Sequence, residues 1–451
     1  MNTVEPGEQG VYMREDHKRT TSLVTLAQLS FALRTADNWL ALNGHFKKGH
    51  TMLKYADLAS PEFYRNPYPL YQQLRAAGPL VPIAPNTFIT GRADIVRAVL
   101  VERKLGRGYL EAIASRYGEE GAKAPVFQAI SRMMMLWNPP MHTRVRALLM
   151  KAFNARQIEG MREMTQQVAD DLIDALPIDR PFDLVEGLTT PMPLTIICRL
   201  MGIRMEDTPM LGAETAKIVQ ALEAAPLNEQ KLHEANTATI KVEDYFAKLV
   251  EERRQTPGDD LISKLLSVND NGDTLTEEEI ISNVLLMFVA GFETTGGMMG
   301  NALIALHQHP EQLAKLRANP ALISSAVSEC MRYDSSVHAV QRTALEDVEV
   351  AGIQLKKGTL VMLSLGAANR DPAQYEDPDA FLIERPDSGM PLWFAGGIHY
   401  CMGARLAMME LEIAINTLLA RFPMMQLTNL DSFEYQTRNT VRGVKSIMAT
   451  V

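Results

Sequence analysis

Cys401 lies in a glycine-flanked loop that runs from Phe394 to Gly403. Residues 404–419 repeat apolar side chains every three or four positions and contain no Pro or Gly, so Cys401 is predicted at a helix N-terminus. There the helix dipole favours a thiolate, the form of cysteine that binds metals. Gly397 and Gly403 are expected to allow backbone N–H groups to approach the sulfur. A cysteine at such a position is also often a small core side chain, so the loop by itself leaves both interpretations open.

A second group of reactive side chains lies inside a predicted long helix. Thr276 and Glu279 form a capping box that marks the start of this helix. The run AGFETTGG at 290–297 then interrupts good helix formers, and each glycine costs about 1 kcal/mol there. Close packing against another helix is one explanation. The other is chemical, because the carboxylate of Glu293 and the hydroxyl of Thr294 together can hold water and relay protons.

Charged residues elsewhere are ambiguous when each is taken separately. Glu329 and Arg332 are three residues apart on a predicted helix, and such a pair is usually an exposed ion pair of little energetic value. Cations stand at several separated positions, where each would ordinarily be a surface residue. These cations are His142, Arg146, Arg342 and His399.

Four of these segments, in the order in which they occur, resemble the motifs of the cytochrome P450 family. They are the His-Thr-Arg-Val-Arg segment at 142–146, the A-G-x-E-T-T block, the Glu-x-x-Arg pair and the cysteine loop. The resemblance extends over about residues 56–451. It departs at Asn138, where Asp is common in the family, and at Ala395, where Gly is usual. It implies a mainly α fold with a small β region. In that fold, a triangular prism of helices holds haem between the long central helix and the helix of the cysteine loop.

The resemblance also implies roles for individual residues. Cys401 is expected to be the axial thiolate ligand of haem b, iron protoporphyrin IX, and Thr294 and Glu293 are expected to supply protons during dioxygen activation. Further contacts with the haem are expected from His142, Arg146, Ala290, Arg342, Phe394, Gly397, His399 and Gly403. A structural scaffold behind the cysteine loop is expected from Glu329, Arg332 and Arg385.

The implied activity is that of a monooxygenase that uses dioxygen and two electrons to hydroxylate or epoxidise an apolar small molecule. A secondary metabolite such as a polyketide is one candidate, either free or bound to a carrier protein. Because the chain shows no flavin or iron–sulfur motif, the expected electron donors are a ferredoxin and its NAD(P)H-dependent reductase. They are expected to dock on the cysteine side, at His142, Arg144, Arg146 and Lys151. A haem-thiolate peroxygenase or isomerase and a non-enzymatic haem ligand sensor are the alternatives.

Composition narrows the function classes independently of any family. The net charge of −9 disfavours nonspecific binding to nucleic acid, which needs a basic surface. No run reaches the ~18 uninterrupted apolar residues of a membrane span. The three cysteines are few and far apart, which favours a reducing, cytoplasmic location. Residues 1–54 are predicted to be an extension, either a flexible tail or one amphipathic helix, and residues 55–451 a single domain.

Helical periodicity dominates the predicted domain. Helices are predicted at 92–102, 144–176, 190–201, 232–254, 259–267, 276–308, 310–317, 319–333 and 404–419. Strands are predicted only in the last third of the chain, at 348–355 and 359–365. An irregular connection rich in Asp, Pro and Asn is predicted at 369–391.

Overall fold

The computed structural model describes residues 53–223, 226–386, 389–438 and 440–451. The predicted N-terminal extension therefore lies outside the described residues, except for its last two positions. The described chain is mainly helical with a small β region, so the predicted fold class is confirmed.

Seventeen α-helices are present in the described residues, joined in places by single 3₁₀ turns. They are α1 Pro61–Arg65, α2 Tyr68–Ala77, α3 Ala93–Val101, α4 Tyr109–Gly121, α5 Pro125–Ser131, α6 Met141–Ala152, α7 Ala155–Glu159, α8 Arg162–Asp174, α9 Pro191–Met201, α10 Thr208–Val219, α11 Glu229–Gln255, α12 Leu261–Ser267, α13 Glu277–Gln308, α14 Pro310–Ala318, α15 Ile323–Tyr333, α16 Leu365–Ala368 and α17 Ala404–Arg421.

Ten short strands form three small sheets in the described part of the chain. They are β1 Val81–Ala84, β2 Thr87–Thr90, β3 Leu105–Gly106, β4 Phe182–Asp183, β5 Ala339–Ala344, β6 Val348–Val350, β7 Ile353–Leu355, β8 Leu360–Ser364, β9 Gln426–Leu427 and β10 Met448–Thr450. The largest sheet has the order β1-β2-β8-β5-β3, and β2 with β8 is its parallel pair. This sheet joins residues from the beginning and the end of the domain.

The prediction that strands occur only in the last third of the chain is wrong. β1 and β2 form an antiparallel hairpin near the start of the described chain, and β2 pairs with β8. Their four-residue length and the proline at position 82 hide the usual β pattern. The single helix predicted at 144–176 is also wrong, because the chain turns between α6 and α8. Asn154 ends that run by capping α7, with its side chain accepting from the backbone N–H groups of Arg156 and Gln157.

The central helix α13 organises the core. The predicted capping box is present: the Thr276 side chain accepts from the backbone of Glu279, and the Glu279 side chain accepts from the backbone of Thr276. Helices α9, α11, α15 and α17 all pack against α13. Among the described residues, α13 is the one helix long and apolar enough to cross a membrane, but 61% of its most apolar window is buried inside the protein. A buried core helix passes the same test, so its length is weak evidence for a membrane span.

Candidate functional site

The cysteine loop is held in a tight, partly strained conformation before α17. The Cys401 backbone N–H donates to the Phe394 carbonyl at 3.2 Å. Gly397 has φ +64°, and a Cβ there would overlap the carbonyl oxygen of Leu100, so glycine is needed at 397 for the approach of Leu100. At Gly403 a Cβ would meet the Cys401 sulfur at an ordinary 3.9 Å. The structure therefore gives no steric reason for glycine at 403.

The Cys401 side chain is exposed, yet it lies deep enough that burial raises the pKa of its thiol. Backbone N–H groups of Gly403 and Ala404 and the nearby charge of Arg146 act in the opposite direction and favour a thiolate. Loop N–H groups are therefore directed at the sulfur, as predicted. Because the pKa of the thiol is nevertheless raised, these groups alone do not ionise it. A cation on the sulfur would be needed, since a coordinated thiol loses its proton.

The face of α13 that carries Ala290 and Thr294 also meets open space. Ala290 is exposed, although its neighbours Phe288 and Val289 are buried. The Thr294 hydroxyl donates to the Ala290 carbonyl at 2.9 Å and remains able to accept a hydrogen bond from that space. An exposed alanine in the middle of a core helix marks a void within the fold.

The glycines of this stretch are explained by packing. A Cβ on Gly296 would lie 2.6 Å from the Thr189 carbonyl oxygen, and a Cβ on Gly297 would lie 3.1 Å from the Arg442 carbonyl oxygen. These glycines allow neighbouring backbone to approach α13. The two explanations left open by the sequence thus apply to different residues: packing to the glycines, and an open polar face to Thr294.

Glu293 is engaged by a partner that the sequence did not suggest. Arg438 Nη1 donates to Glu293 Oε2 at 2.8 Å, and Arg438 Nε donates to Glu223 Oε1 at 3.2 Å. Glu223 also accepts from Thr440 at 2.7 Å. Glu293 and Arg438 line a cavity of about 160 Å³ whose lining includes neither Thr294 nor Cys401. The carboxylate thus contacts a space different from the one above the cysteine.

Three arginines and two histidines from four separate segments converge beside the cysteine loop. The rings of His142 and His399 are 4.2 Å apart, and burial followed by nearby arginines lowers the pKa of His142 to about 4. Burial lowers the pKa of Arg342 to about 10, and burial together with Arg342 lowers that of Arg107 to about 9. The fifth member, Arg146, donates to the Tyr400 carbonyl at 2.7 Å. We call these five residues the cation cluster; they are Arg107, His142, Arg146, Arg342 and His399.

Nothing in the described chain neutralises the cation cluster. None of its members forms an ion pair with a carboxylate of the described residues. Buried nitrogen atoms without a hydrogen-bond partner remain on four of the five side chains. Buried cations are normally paired, and unpaired buried donors are costly. The cluster therefore fits an anionic group beside the cysteine loop, such as the two carboxylates of haem.

The predicted scaffold is present and buried. Arg332 Nε and Nη2 donate to both oxygens of Glu329 at 2.7 and 2.8 Å, and Arg385 Nε donates to the same carboxylate at 3.2 Å. Arg332 also donates to the carbonyls of Pro378 and Ala380 at 2.7 and 2.8 Å. The ordinary expectation of an exposed ion pair is wrong for Glu329 and Arg332, because the pair holds the irregular 369–391 connection against α15.

Two of the four cations expected to face an electron donor are already paired. Arg144 donates to Asp273 at 2.9 Å and to Glu279, and Lys151 lies 2.8 Å from Asp270. Their charge is therefore largely offset within the protein. This weakens the prediction that they attract an acidic partner.

The other two expected docking cations, His142 and Arg146, belong to the cation cluster. His142 is buried and its lowered pKa keeps it neutral, so the prediction that it presents surface charge is wrong. Arg405 and Arg103 are exposed instead, and no carboxylate of the described residues forms an ion pair with either. Arg103 lies three residues after Leu100, which contacts the cysteine loop.

Sequence reasoning missed two residues at this site and one buried carboxyl on the helix that follows the cysteine loop. Arg107 belongs to the cation cluster, Arg438 holds Glu293, and Glu410 is a buried carboxyl on α17 whose Oε2 has no hydrogen-bond partner. Burial raises the pKa of Glu410 well above its usual value. None lies in a motif that the sequence made visible. Glu410 could have been suspected, because it is an acidic residue within the apolar repeat of 404–419.

Comparison with known proteins agrees with the geometry. The family model described as Cytochrome P450 matches residues 109–447. A putative cytochrome P450 133B1 from Xylella fastidiosa is 45% identical over 396 residues, which are 88% of this chain and 98% of that protein. The polyketide biosynthesis cytochrome P450 PksS from Bacillus subtilis is 33% identical and is aligned over 86% of this chain and 96% of its own length.

A solved structure is similar over nearly the whole described fold. It is the crystal structure of P450BioI in complex with an acyl carrier protein ligated to hexadec-9Z-enoic acid. The TM-score is 0.81 at 32% sequence identity, and the match covers 87% of this chain and 100% of that one.

Proposed function

Because the chain belongs to the cytochrome P450 family and is therefore a monooxygenase, we propose that it holds haem b, iron protoporphyrin IX, with Cys401 as the axial thiolate ligand. The observation that carries this proposal is the unneutralised cation cluster beside the accessible thiol of Cys401. His142, Arg146, Arg342 and His399 would bind the two haem carboxylates. Phe394 and Gly397 would shape the loop around the sulfur, the Gly403 backbone N–H would donate to the sulfur, and Ala290 would contact the haem from α13.

When bound, haem supplies the activation of dioxygen and the transfer of one oxygen atom to a substrate C–H or C=C bond. The protein residues position the reactants and supply protons. Thr294 Oγ1 donates to the Ala290 carbonyl, so its lone pairs can hold a water molecule in the void at α13. Glu293 uses Oε2 to bind Arg438, which leaves Oε1 to exchange protons with water. We infer that Glu293 takes up protons from the cavity that it lines, and that Thr294, the next residue on α13, passes them to the reacting oxygen.

Separate proteins would supply the electrons. We propose a ferredoxin and an NAD(P)H-dependent ferredoxin reductase, in a cytoplasmic setting that suits free thiols at all three cysteines. An acidic ferredoxin would dock on the cysteine side. The exposed Arg103 and Arg405 are better placed to attract it than the paired Arg144 and Lys151.

The proposed substrate is an apolar small molecule, either free or bound to a carrier protein. The void at Ala290 has buried apolar neighbours, and Met133 and Met134 are buried in the segment that precedes α6. Methionine side chains adapt to irregular apolar shapes. The names of the relatives above, which mention polyketide biosynthesis and a carrier-bound fatty acid, support a secondary metabolite such as a polyketide as one candidate.

The proposal includes the division of the chain into a domain and an extension. We propose that residues 55–451 are one haem-binding domain preceded by an extension. The family model matches residues 109–447, which lie within this domain.

A spectrum tests the proposed ligand. The reduced protein with bound carbon monoxide is expected to show the red-shifted Soret band of a thiolate ligand. Cys401→Ala should lose this band, and the control Cys198→Ala, which changes a buried cysteine on α9, should keep it. An unshifted band in the wild type, or a shifted band in Cys401→Ala, would show that Cys401 is not the ligand.

Product measurements test the proton path. Thr294→Ala should use electrons without forming product and release peroxide, whereas Thr294→Ser, which keeps the hydroxyl, should stay coupled. Equal coupling in both variants would remove Thr294 from the path. Turnover with peroxide alone, and none with electron donors, would support the peroxygenase alternative instead.

A further inference from the structure

Two arginines of the cation cluster share one hydrogen-bond acceptor. Arg107 Nη1 donates to the Gln341 carbonyl at 2.9 Å, and Arg342 Nη1 donates to the same oxygen at 3.0 Å. One carbonyl cannot neutralise two guanidinium charges. Arg107 Nε and Arg342 Nη2 are both buried without a partner. These free donors are therefore available to one anion that lies against both side chains.

Strand register brings the two arginines together. In the β3–β5 pair, Leu105 is opposite Ala344 and Gly106 is opposite Thr343. The next step along both strands places Arg107 beside Arg342. The shared contact with the Gln341 carbonyl agrees with this register.

Asn138 fixes the backbone of Arg107. Its Oδ1 accepts from the Arg107 backbone N–H at 2.8 Å, and its Nδ2 donates to the Arg107 carbonyl at 2.8 Å. A Cβ on Gly106 would overlap Asn138 Oδ1, so the preceding glycine makes room for this contact. An aspartate at 138 could make only the first bond, because an ionised carboxylate has no donor. It would also bring a negative oxygen against the Arg107 carbonyl.

We propose that Arg107 is a third arginine for the haem carboxylates, beside Arg146 and Arg342, and that Asn138 is the positioning residue that orients it. This proposal rests on the proposed function. It explains why asparagine stands where the family commonly has aspartate. The four cations expected from the family resemblance do not include Arg107.

The charge balance gives the proposal measurable consequences. Arg146 and Arg342 already match the two negative charges of the haem carboxylates, so Arg107 adds one positive charge near the haem. That charge should slow haem release. It should also stabilise the reduced haem, which carries one negative charge more than the oxidised haem, and so raise the reduction potential.

The first experiment compares wild-type holoenzyme, Arg107→Gln and the control Arg103→Gln, which changes an exposed arginine near the same loop. The rate of haem release is measured from the transfer of haem to excess apomyoglobin. Loss of a hydrogen bond to a charged group changes a binding constant by about tenfold to a hundredfold. Arg107→Gln should therefore release haem faster by about that factor. Its reduction potential should fall, and the control should match wild type. Equal release rates and potentials in all three proteins would overturn the assignment of Arg107.

A conservative variant protects the test against a folding defect. Arg107→Lys keeps the charge but loses the planar set of donors. It should release haem faster than wild type while its reduction potential stays close to that of wild type. A potential that falls equally in Arg107→Lys and Arg107→Gln would contradict the charge argument.

A double-mutant comparison tests Asn138. Asn138→Ala removes both bonds to the Arg107 backbone without adding charge. It should speed haem release and lower the potential when Arg107 is present, and should add nothing further in the Arg107→Gln background. Equal effects of Asn138→Ala in both backgrounds would show that it does not act through Arg107.

Failure of this proposal can be told apart from failure of the proposed function. A wild type that binds haem without the thiolate band would overturn the role of Cys401 and leave the release ratio for Arg107 interpretable. Equal release rates with the band present would overturn Arg107 alone. A wild type that binds no haem would overturn both.

Discussion

Gly397 and Gly403 are expected to respond in opposite directions when each is replaced by alanine. Both flank Cys401 and both were expected to permit close backbone approach. At Gly397, φ is +64°, which costs an L-residue about 1–2 kcal/mol, and the new Cβ would overlap the Leu100 carbonyl. Forcing extra volume into a packed site adds about 1–3 kcal/mol. Gly397→Ala should therefore destabilise the holoenzyme by about 2–5 kcal/mol.

Gly403 provides the matched control. Its φ of −82° and ψ of 3° are accessible to alanine, and the added Cβ would meet only the Cys401 sulfur at 3.9 Å. An alanine at such a compatible position usually stabilises by about 0.4–1 kcal/mol, because it restricts the unfolded chain. Gly403→Ala should thus be neutral or slightly stabilising.

The assay is urea unfolding of each holoenzyme, followed by both the Soret band and helical circular dichroism. The midpoint should fall for Gly397→Ala and stay or rise for Gly403→Ala. If the two variants lost stability equally, general sensitivity of the cysteine loop would explain the result better than these steric differences. A Gly397→Ala protein within about 0.5 kcal/mol of wild type, the spread usual for neutral surface changes, would refute the reasoning directly.

Two further predictions use the same unfolding assay. Ala395 has φ +56°, so Ala395→Gly should stabilise the holoenzyme by about 1 kcal/mol, and a loss of stability would show that the loop is not strained there. Burial raises the pKa of Glu410 above its unfolded value of 4.5, so as pH rises past 4.5 the unfolded state ionises while the folded carboxyl stays protonated. Stability then falls by about 1.4 kcal/mol per pH unit until the folded carboxyl also ionises. Glu410→Gln removes this loss, so its advantage over wild type should grow as the pH rises above 4.5; an advantage that is constant with pH would contradict the assignment.

Elements with strong local signals were predictable from the sequence. The capping box of Thr276 and Glu279 and the apolar repeat after Cys401 each depend on residues within one or two helical turns, and both helices form where expected. β1 and β2 lack such signals. They are strands because β2 pairs with β8, whose residues lie more than 270 positions later. Pairing at that distance in sequence leaves no local pattern to detect.

The burial of the Glu329–Arg332 ion pair could not be predicted from its spacing in the sequence. Glu329 and Arg332 have the spacing of an ordinary exposed ion pair, and only the resemblance suggested a scaffold. The structure shows why they are buried: the chain returns through Arg385 to the same carboxylate, and the carbonyls of Pro378 and Ala380 accept the remaining donors. A buried ion pair is tolerated only when its other polar atoms are satisfied, and those partners lie about 50 residues away.

The cation cluster also depends on pairing between strands that are far apart in the sequence. Arg107 follows a strand of two residues, and its neighbours Gly106 and Gly108 carry no helical or β signal. It reaches Arg342 only through the register of β3 against β5, and a shift of one residue would turn its side chain to the other face of the sheet. The sequence did contain one indication, because Asn138 departs from the family pattern. Its meaning depended on seeing that both ends of the amide bind the backbone of Arg107, which no aspartate could do.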